Sequence, residues 1–556
     1  MQLLTKLISS LEKCFMDDSM ESKTEFRRAS ILRNERFAFQ AAYTDTDPSN
    51  HSYIPGSIRI DSPLADAVSV FFVAQVPAAM PVYRGEKSLD GYLRTAPGFY
   101  PDLLLPEREI LEAAYVYGEL KALWIEVDPA GRYPAGEYPI TVLFLDGAGN
   151  EAASETFLLT ILNAALPQQT LKFTQWLHTD CLASYYGFDI FSEAYWRTVE
   201  RFMKTAVRNG VNMMLTPVFT PPLDTAIGGE RPTVQLVDVT VSGDGNYLFS
   251  FDRLGQWLDL CKRSGIRYYE FSHLFTPWGA QAAPKIVAKK DGGIQKIFGW
   301  DTDASSPEYI SFLRSFLKAL LAYMRTRGED KKCVFHISDE PEPEHFDAYM
   351  RAQRSVGDLL SDYPVMDALS DVSFCDKGSA NIPVPALNHI EPFLSRPLKE
   401  RWTYYCCGQS EKVSNRFLAM PSQRNRILGT QMYLNQIQGF LHWGFNFYYS
   451  RGSGRLINPY ACTDGGNAFP SGDAFSVYPA PDGSAYETLR LQVFAHALED
   501  MRALQLCESL CGTDDVRHCI LECAGMPVTF TSYPRGIFFI HELREKINNK
   551  IQVKIQ

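Results

Sequence analysis

The chain has 556 residues, 46% hydrophobic and 21% charged, which supplies apolar material for a packed core and excludes both a single short module and a disordered chain. Lys and Arg total 54 against 65 Asp and Glu, a formal net charge of -11, and this balance argues against a polyanion such as nucleic acid as the main partner. The 12 cysteines, several inside apolar runs as at Cys333 and Cys375, read as free thiols of a reducing compartment rather than as a disulfide framework.

The opening MQLLTKLISSLEKCFMDD sets apolar residues at helical spacing, interrupted by Lys6, Glu12 and Lys13, with no secretory core or cleavage signal. The longest apolar stretch, from Val68, contains Ser69, Gln75 and Pro77 and is too short to cross about 30 Å of hydrocarbon. A cytoplasmic protein without a membrane span is expected. From about residue 22 to 166 short alternating runs follow one another: FAFQAAY from Phe37, SVFFVAQV from Ser69, ALWIEV from Ala122, ITVLFL from Ile140 and ETFLLTIL from Glu155. Turn signals such as PAGEYP at Pro134 and DGAGN at Asp146 separate them, which predicts an antiparallel β-sandwich over residues 1–168.

After Pro167 strand-like runs alternate with helix-length segments. Strands are predicted at Leu171, Val211, Ile266, Cys333, Pro364, Val384, Arg401 and Ile437, and helices between them, the last from Tyr486 to Leu506. Eight such units over residues 169–510 predict an α/β fold of the (β/α)8 TIM-like barrel type. A doubly wound open sheet is the alternative, but the turn TDCLASYYG after His178 lacks the glycine-rich phosphate loop such a sheet carries early. Residues 511–556 are expected to add a strand pair and the helical HELREKINNKI, packed on the barrel.

In such a barrel the reacting groups sit at the carboxyl ends of strands. The segment CVFHISDEPEPEH from Cys333 runs an apolar strand into Asp339 and Glu340, and Pro341 and Pro343 then end the strand. Adjacent acids repel when both are ionised, so such a pair tends to keep a proton in the range useful to a general acid. Glu342 and Glu344 read as acids decorating a helix start. Aromatic rings crowd the other strand ends: Trp176, Trp278, Trp402, Tyr404, Tyr405 and Trp443. Flat rings beside polar groups such as His178 and Asn446 suit the C–H faces and hydroxyl edges of a sugar. A packed histidine is the default reading of His178, His336 and His442. Cys507, Cys511, Cys519 and Cys523 depart from zinc-ribbon spacing and read as apolar helix faces; no metal or cofactor is expected. No G-x-S-x-G elbow, phosphate loop or H-E-x-x-H pair occurs.

Five motifs in order, HISDEP at His336, RWTYYCCGQS at Arg401, GFLHWGFNFY at Gly439, GDAFSVYPAPDGS at Gly472 and LRLQVFAHALEDMRAL at Leu489, resemble the domain of unknown function 4091, which overlaps the catalytic barrel of glycoside hydrolase family 123. The resemblance implies an exo-acting β-N-acetylgalactosaminidase-like enzyme acting on an oligosaccharide or glycoconjugate. It implies that Asp339 orients the 2-acetamido group of the substrate, whose carbonyl oxygen attacks the anomeric carbon, while Glu340 protonates the leaving oxygen and then activates water. Tyr404 or Tyr405 would hold the acetamido group, and Trp176, His178, Trp402, Trp443 and Asn446 are candidate sugar contacts. Two other readings are kept: a glycosidase of different sugar specificity using Asp180, Glu270 or Asp371, and a non-catalytic carbohydrate-binding protein.

Overall fold

The structure is a computed structural model that describes residues 2–85, 90–107, 113–378 and 382–555. Its N-terminal part forms two five-stranded sheets. The first runs Leu3–Ser9, Phe37–Asp45, Lys121–Val127, Val68–Ala78, Gly98–Pro106, antiparallel throughout. The second runs Arg28–Leu32, Glu151–Leu162, Gly136–Asp146, Ile54–Asp61, Ala113–Tyr115, with only its first pair parallel. Alternation along the strands sends Phe39, Tyr43, Ile125, Phe144 and Phe157 into one shared core, where the Phe39 and Phe157 rings stack at 4.3 Å.

The N-terminal segment departs from its predicted helical pattern. Leu3–Ser9 is an edge strand in register with Phe37–Asp45. Its Leu7 faces the sandwich core while Ile8 is buried on the other face with Cys14 and Met20. A strand buried on both faces shows no period-2 pattern.

Beyond Leu162 parallel strands alternate with helices. Six strands pair in the order Cys333–Val334, Tyr268–Phe271, Met213–Thr216, Lys172–Gln175, Gly439–His442, Trp402–Tyr404. The earliest strand of this series thus lies beside the latest. Met366–Ala368 and Ile382–Val384 make a separate parallel pair, and parallel bridges Phe335↔Val365 and Ala386↔Tyr404 connect that pair to both ends of the six. Met213, Leu215, Val334, Met366, Val384, Trp402 and Leu441 from these strands pack into one cluster. At Gly439 an ideal Cβ would stand 2.0 Å from the Trp402 ring, so only glycine admits the indole there.

Helices Glu193–Arg208, Asp252–Ser264, Pro307–Thr326, Phe346–Leu360 and Leu489–Cys511 cover the strands. Ser192, Ser306 and Thr488 cap three of them by accepting a hydrogen bond from the backbone N–H three residues on. The Leu489–Cys511 helix is buried on nearly all sides, and its Arg490 forks onto Asp102 of the first sheet at 2.7 and 2.8 Å, bolting that sheet to the helix. The tail is helical, Thr513–Ala524 and Phe538–Ile555, in place of the expected strand pair: Val516, Cys519 and Ile520 bury one face at helical spacing. No helix among the described residues is long and apolar enough to cross a membrane.

Candidate active site

Past Val334 the chain runs on to the acids, held at each step. Ile337 N and Ser338 N donate to Asp367 Oδ1 at 3.0 and 3.3 Å, and Ser338 Oγ donates to Thr276 O at 2.8 Å. The carbonyl of Asp339 accepts from Trp278 N at 2.9 Å. In a regular strand consecutive side chains point to opposite faces. Glu340 breaks that rule by adopting φ 43°, a left-handed conformation costing a non-glycine residue about 1–3 kcal/mol. The result is that both carboxyl groups open on one cavity of about 650 Å³.

The cavity is built from loops that follow several of the strands. Trp176, Ala368, Leu441 and Trp443 line it together with Tyr404, Trp278, Asp224, Arg451 and Phe469. Tyr83 and the thiols Cys406 and Cys407 complete its lining. Tyr83 lies between Val68–Ala78 and Gly98–Pro106, where described residues of the same segment bond to the C-terminal half: Ser471 N donates to Met80 O at 2.8 Å and Leu93 N to Ala419 O at 2.8 Å, and Tyr92 Oη donates to Ser410 O at 2.9 Å.

Burial drives the Asp339 carboxyl well above its ordinary range, the negative charge of Glu340 adds to the rise, and the His336 cation opposes it. Glu340 is also raised by burial, partly offset by the Tyr404 hydroxyl, which donates to Glu340 Oε1 at 2.6 Å. Beneath the pair His336 is forked between two carboxylates, Nε2 2.8 Å from Glu270 Oε1 and Nδ1 3.4 Å from Asp367 Oδ1. Burial alone would push this imidazole down, but the hydrogen bonds and charges of Asp367 and Glu270 lift it to about 10, so it is a cation at neutral pH. Tyr349 Oη donates to Asp367 Oδ2 at 2.5 Å, and Trp176 Nε1 donates to Glu270 Oε1 at 2.7 Å. His273, kept neutral by burial and by the His336 charge, stacks on His336 with ring centroids 4.3 Å apart. His273, His336 and Asp367 each offer a ligand atom within 4.8 Å of the others, yet stacked rings aim their in-plane lone pairs side by side rather than at one ion.

Of the residues expected at the site from sequence, Asp339, Glu340, Trp176, Tyr404 and Trp443 come together around the cavity. The other four lie elsewhere. Trp402 sits at the start of its strand, its Nε1 donating to Glu400 Oε2 at 3.0 Å, packed with Met213 and Leu441 and away from the cavity lining. Tyr405 takes the opposite strand face from Tyr404 and donates to Asn425 Oδ1 at 2.9 Å. Asn446 holds the backbone of His178 from both sides, accepting from His178 N at 2.8 Å and donating to His178 O at 3.0 Å. Arg231 Nη2 lies 3.1 Å from His178 Nδ1; as a pure donor it makes Nδ1 the acceptor, so Nε2 carries the proton and donates to Trp443 O at 2.8 Å. His178 and Asn446 thus fix the loops that present Trp176 and Trp443.

The alternative carboxylates do not line the cavity. Asp180 is clamped by Arg231 at 2.7 and 2.8 Å, Glu270 is committed to Trp176, Thr174 and His336, and Asp371 accepts from Ser373 N at 2.8 Å. Tyr83, Asp224 and Arg451, which do line it, were not predicted. Asp224 lies in a loop after a strand, where the barrel rule points, whereas nothing near Tyr83 in sequence connects it with residues more than 300 positions away.

A family model described as the glycoside hydrolase 123 catalytic domain matches residues 176–507, more than half of the chain. The structure is similar to that of a family 123 glycoside hydrolase from Clostridium perfringens, solved for the details of glycolipid glycan hydrolysis, with a TM-score of 0.72, 14% identity, and coverage of 100% of this chain and 98% of that one. That likeness concerns the fold alone. A β-glucuronidase from Parabacteroides merdae aligns at a TM-score of 0.31 and 9% identity over 89% of this chain and 52% of its own, too loosely to carry an argument. No curated protein matches. The family match over the stretch that carries the acid pair and most of its cavity establishes that the chain belongs to glycoside hydrolase family 123 and is a glycoside hydrolase.

Proposed function

We propose that the enzyme is an exo-acting β-N-acetylhexosaminidase, β-N-acetylgalactosaminidase-like, that works with retention through substrate assistance. The observation that carries this reading is the pair of consecutive carboxyl groups, Asp339 and Glu340, both raised by burial and both opening on one cavity. Ordinary retaining enzymes place two carboxyl groups on either side of the scissile bond and use one as nucleophile; substrate-assisted families are the exception. Neighbouring acids suit the exception, since both approach the sugar from one strand end. Asp339 acts in its ionised form, which the His336 cation favours against the effect of burial: it accepts from the acetamido N–H and drives the acetamido oxygen onto the anomeric carbon. Glu340 gives its proton to the leaving oxygen as the glycosidic bond breaks, and an oxazolinium ring remains. Glu340 then takes a proton from water, which opens the ring and delivers the β-hemiacetal. Tyr404, on Glu340 Oε1, sets that carboxyl's orientation, and Trp176 and Trp443 offer faces to the sugar.

The ring of eight parallel strands reads as a (β/α)8 barrel: the first-to-last pairing and the two parallel bridges support closure, and Asp339, Glu340, Tyr404, Trp176 and Trp443 come from strand ends or the loops after them. On this reading residues 1–168 are an N-terminal sandwich, 169–510 the catalytic barrel and 511–556 an extension on it. The substrate is an oligosaccharide or glycoconjugate with a terminal 2-acetamido sugar.

The test is turnover of aryl 2-acetamido-2-deoxy-β-galactoside and its gluco epimer beside the matching glycosides that carry a 2-hydroxyl, with the first product anomer read by NMR. Hydrolysis confined to acetamido sugars, release of the β-anomer and inhibition by an N-acetylhexosamine thiazoline are expected. Equal turnover of 2-hydroxyl glycosides would remove substrate assistance.

A further inference from the structure

Two charged residues line the same cavity and take no part in the chemistry above: Asp224 and Arg451. Asp224 follows the Met213–Thr216 strand in TPPLDT and adopts φ 40°, a left-handed conformation that persists only when its surroundings impose it. The constraint comes from the loop after the Gly439–His442 strand. Gly452 N donates to Asp224 Oδ2 at 3.0 Å, Ser453 Oγ donates to Asp224 O at 2.8 Å, and Ala226 N donates to Gly452 O at 3.0 Å. Gly452 itself takes φ 66°. One oxygen of the carboxylate is therefore fixed by backbone, and the other, Oδ1, has no hydrogen-bond partner among the described residues. The guanidinium of Arg451, next in chain to the clamping glycine, likewise has no carboxylate within ion-pair distance among the described residues.

Asp180 and Arg231, an acid and an arginine of the interior, close on each other at 2.7 Å. Asp224 and Arg451 feel each other's charge but are held apart, an oriented acceptor and a free donor on the lining of one cavity. The ligand chemistry that answers both is a pair of neighbouring hydroxyls, one donating to the carboxylate while the next accepts from the guanidinium.

We propose that Asp224 and Arg451 form the hydroxyl-reading subsite of the cavity, with Asp224 Oδ1 accepting from a ring hydroxyl of the bound sugar and Arg451 donating to the adjacent oxygen, and that this pair sets which hexosamine epimer the enzyme takes. The proposal rests on the reading of the cavity as a sugar pocket. Selectivity follows from the cost of failure: a sugar with that hydroxyl misplaced leaves a half-buried carboxylate oxygen unanswered, and sites built to hydrogen-bond a hydroxyl reject its absence far more strongly than apolar pockets reject a methylene.

The experiment compares wild type, Asp224→Asn and Arg451→Met on the better of the two aryl 2-acetamido glycosides, on its epimer, and on its 3-, 4- and 6-deoxy analogues, with thermal melts to confirm folding. Asparagine keeps an acceptor for Gly452 and so preserves the loop. Asp224→Asn is expected to lower kcat/KM roughly 10- to 100-fold on the parent, to narrow the epimer ratio, and to cost under about threefold on the single analogue that lacks the contacted hydroxyl. Arg451→Met should show a smaller loss that vanishes on that analogue or on the one missing the neighbouring hydroxyl. Unchanged kinetics for Asp224→Asn, or the same loss on the parent and on every deoxy analogue, would overturn the proposal, the second by marking a purely structural role. If wild type hydrolyses no 2-acetamido glycoside, it is the function reading that fails. The same deoxy series on its best aryl β-glycoside then still decides the role of Asp224.

Discussion

Two sets of acids inside this molecule differ in company. Where the N-terminal sheets, the parallel strands and the tail meet, arginines answer one set: Asp102 pairs with Arg490, Glu35 with Arg544, Asp500 with Arg426 and Arg544. At the cavity Asp339 and Glu340 have no arginine or lysine within ion-pair distance among the described residues. Glu340 has the Tyr404 hydroxyl, and Asp339 has only the more distant charge of His336. A buried acid whose oxygens are taken up by a guanidinium becomes part of the scaffold. Asp339 and Glu340, without such a partner, are raised by burial and can exchange a proton with a substrate. The same residue types thus divide into joints and reactants by whether a cation is supplied.

That division is open to a direct attack from both sides. Glu340→Gln should depress kcat/KM by about 100-fold to 10,000-fold on substrates with poor leaving groups, the usual range for a general acid, while the melting temperature holds or rises because a desolvated carboxyl has been removed. Arg490→Met should do the reverse. It leaves Asp102 buried beside the Leu489–Cys511 helix with the Tyr478 hydroxyl at 3.3 Å but no cation bonded to it, a loss of about 3–5 kcal/mol, seen as a lower melting temperature with kcat of the folded fraction unchanged. If Glu340→Gln unfolded the protein, or Arg490→Met changed kcat alone, the two groups would not be distinct.

Next in size is a change that touches neither group. Gly439→Ala places a methyl into the Trp402 ring, whose atoms lie 2.0 Å from the ideal Cβ position, and overpacking of this kind costs typically about 1–3 kcal/mol. The effect should appear in urea melts and leave the pH dependence of kcat/KM in place, because Trp402 packs in a buried cluster and does not line the cavity. A large change in KM from this substitution would return Trp402 to the substrate.

What could be read in advance follows the same physical line. Adjacent acids ahead of Pro341 at a strand end are a local signal, and so was the switch from alternating runs to strand–helix units near Pro167. Signals carried by tertiary contact were not available. Tyr404 and Tyr405 are both candidates until the strand face is known, since alternation says only that they differ. His178 and Asn446 look like polar groups at strand ends and prove to be bonded to each other's loops. The helical reading of the N-terminus failed because Leu7 and Ile8, at the end of this strand, are buried on opposite faces, so it lacks the pattern that marks a half-buried strand. Tyr83 reaches the cavity only because a hairpin connection of the sandwich is laced to Ser410, Ala419 and Ser471.

The smallest expected effect tests the one cation that the cavity acids do feel. His336 is lifted to about 10 by Asp367 and Glu270, so its folded form holds a proton that the unfolded chain, near 6.5, does not keep at alkaline pH. The stability it contributes is full below about pH 6.5 and is lost as pH rises through about 10, because there the unfolded state binds fewer protons than the folded one. His336→Gln should therefore flatten the decline of the melting temperature between about pH 6.5 and about pH 10. The same substitution removes the charge that holds Asp339 down. Asp339 must be ionised to accept from the acetamido N–H, so the acid limb of kcat/KM should move to higher pH, while the alkaline limb, set by the proton on Glu340, stays in place. A purely structural His336 would lower stability at every pH and leave both limbs where they were. Movement of the alkaline limb instead would exchange the roles of the two acids, for it would make Glu340 the carboxyl that senses the histidine beneath.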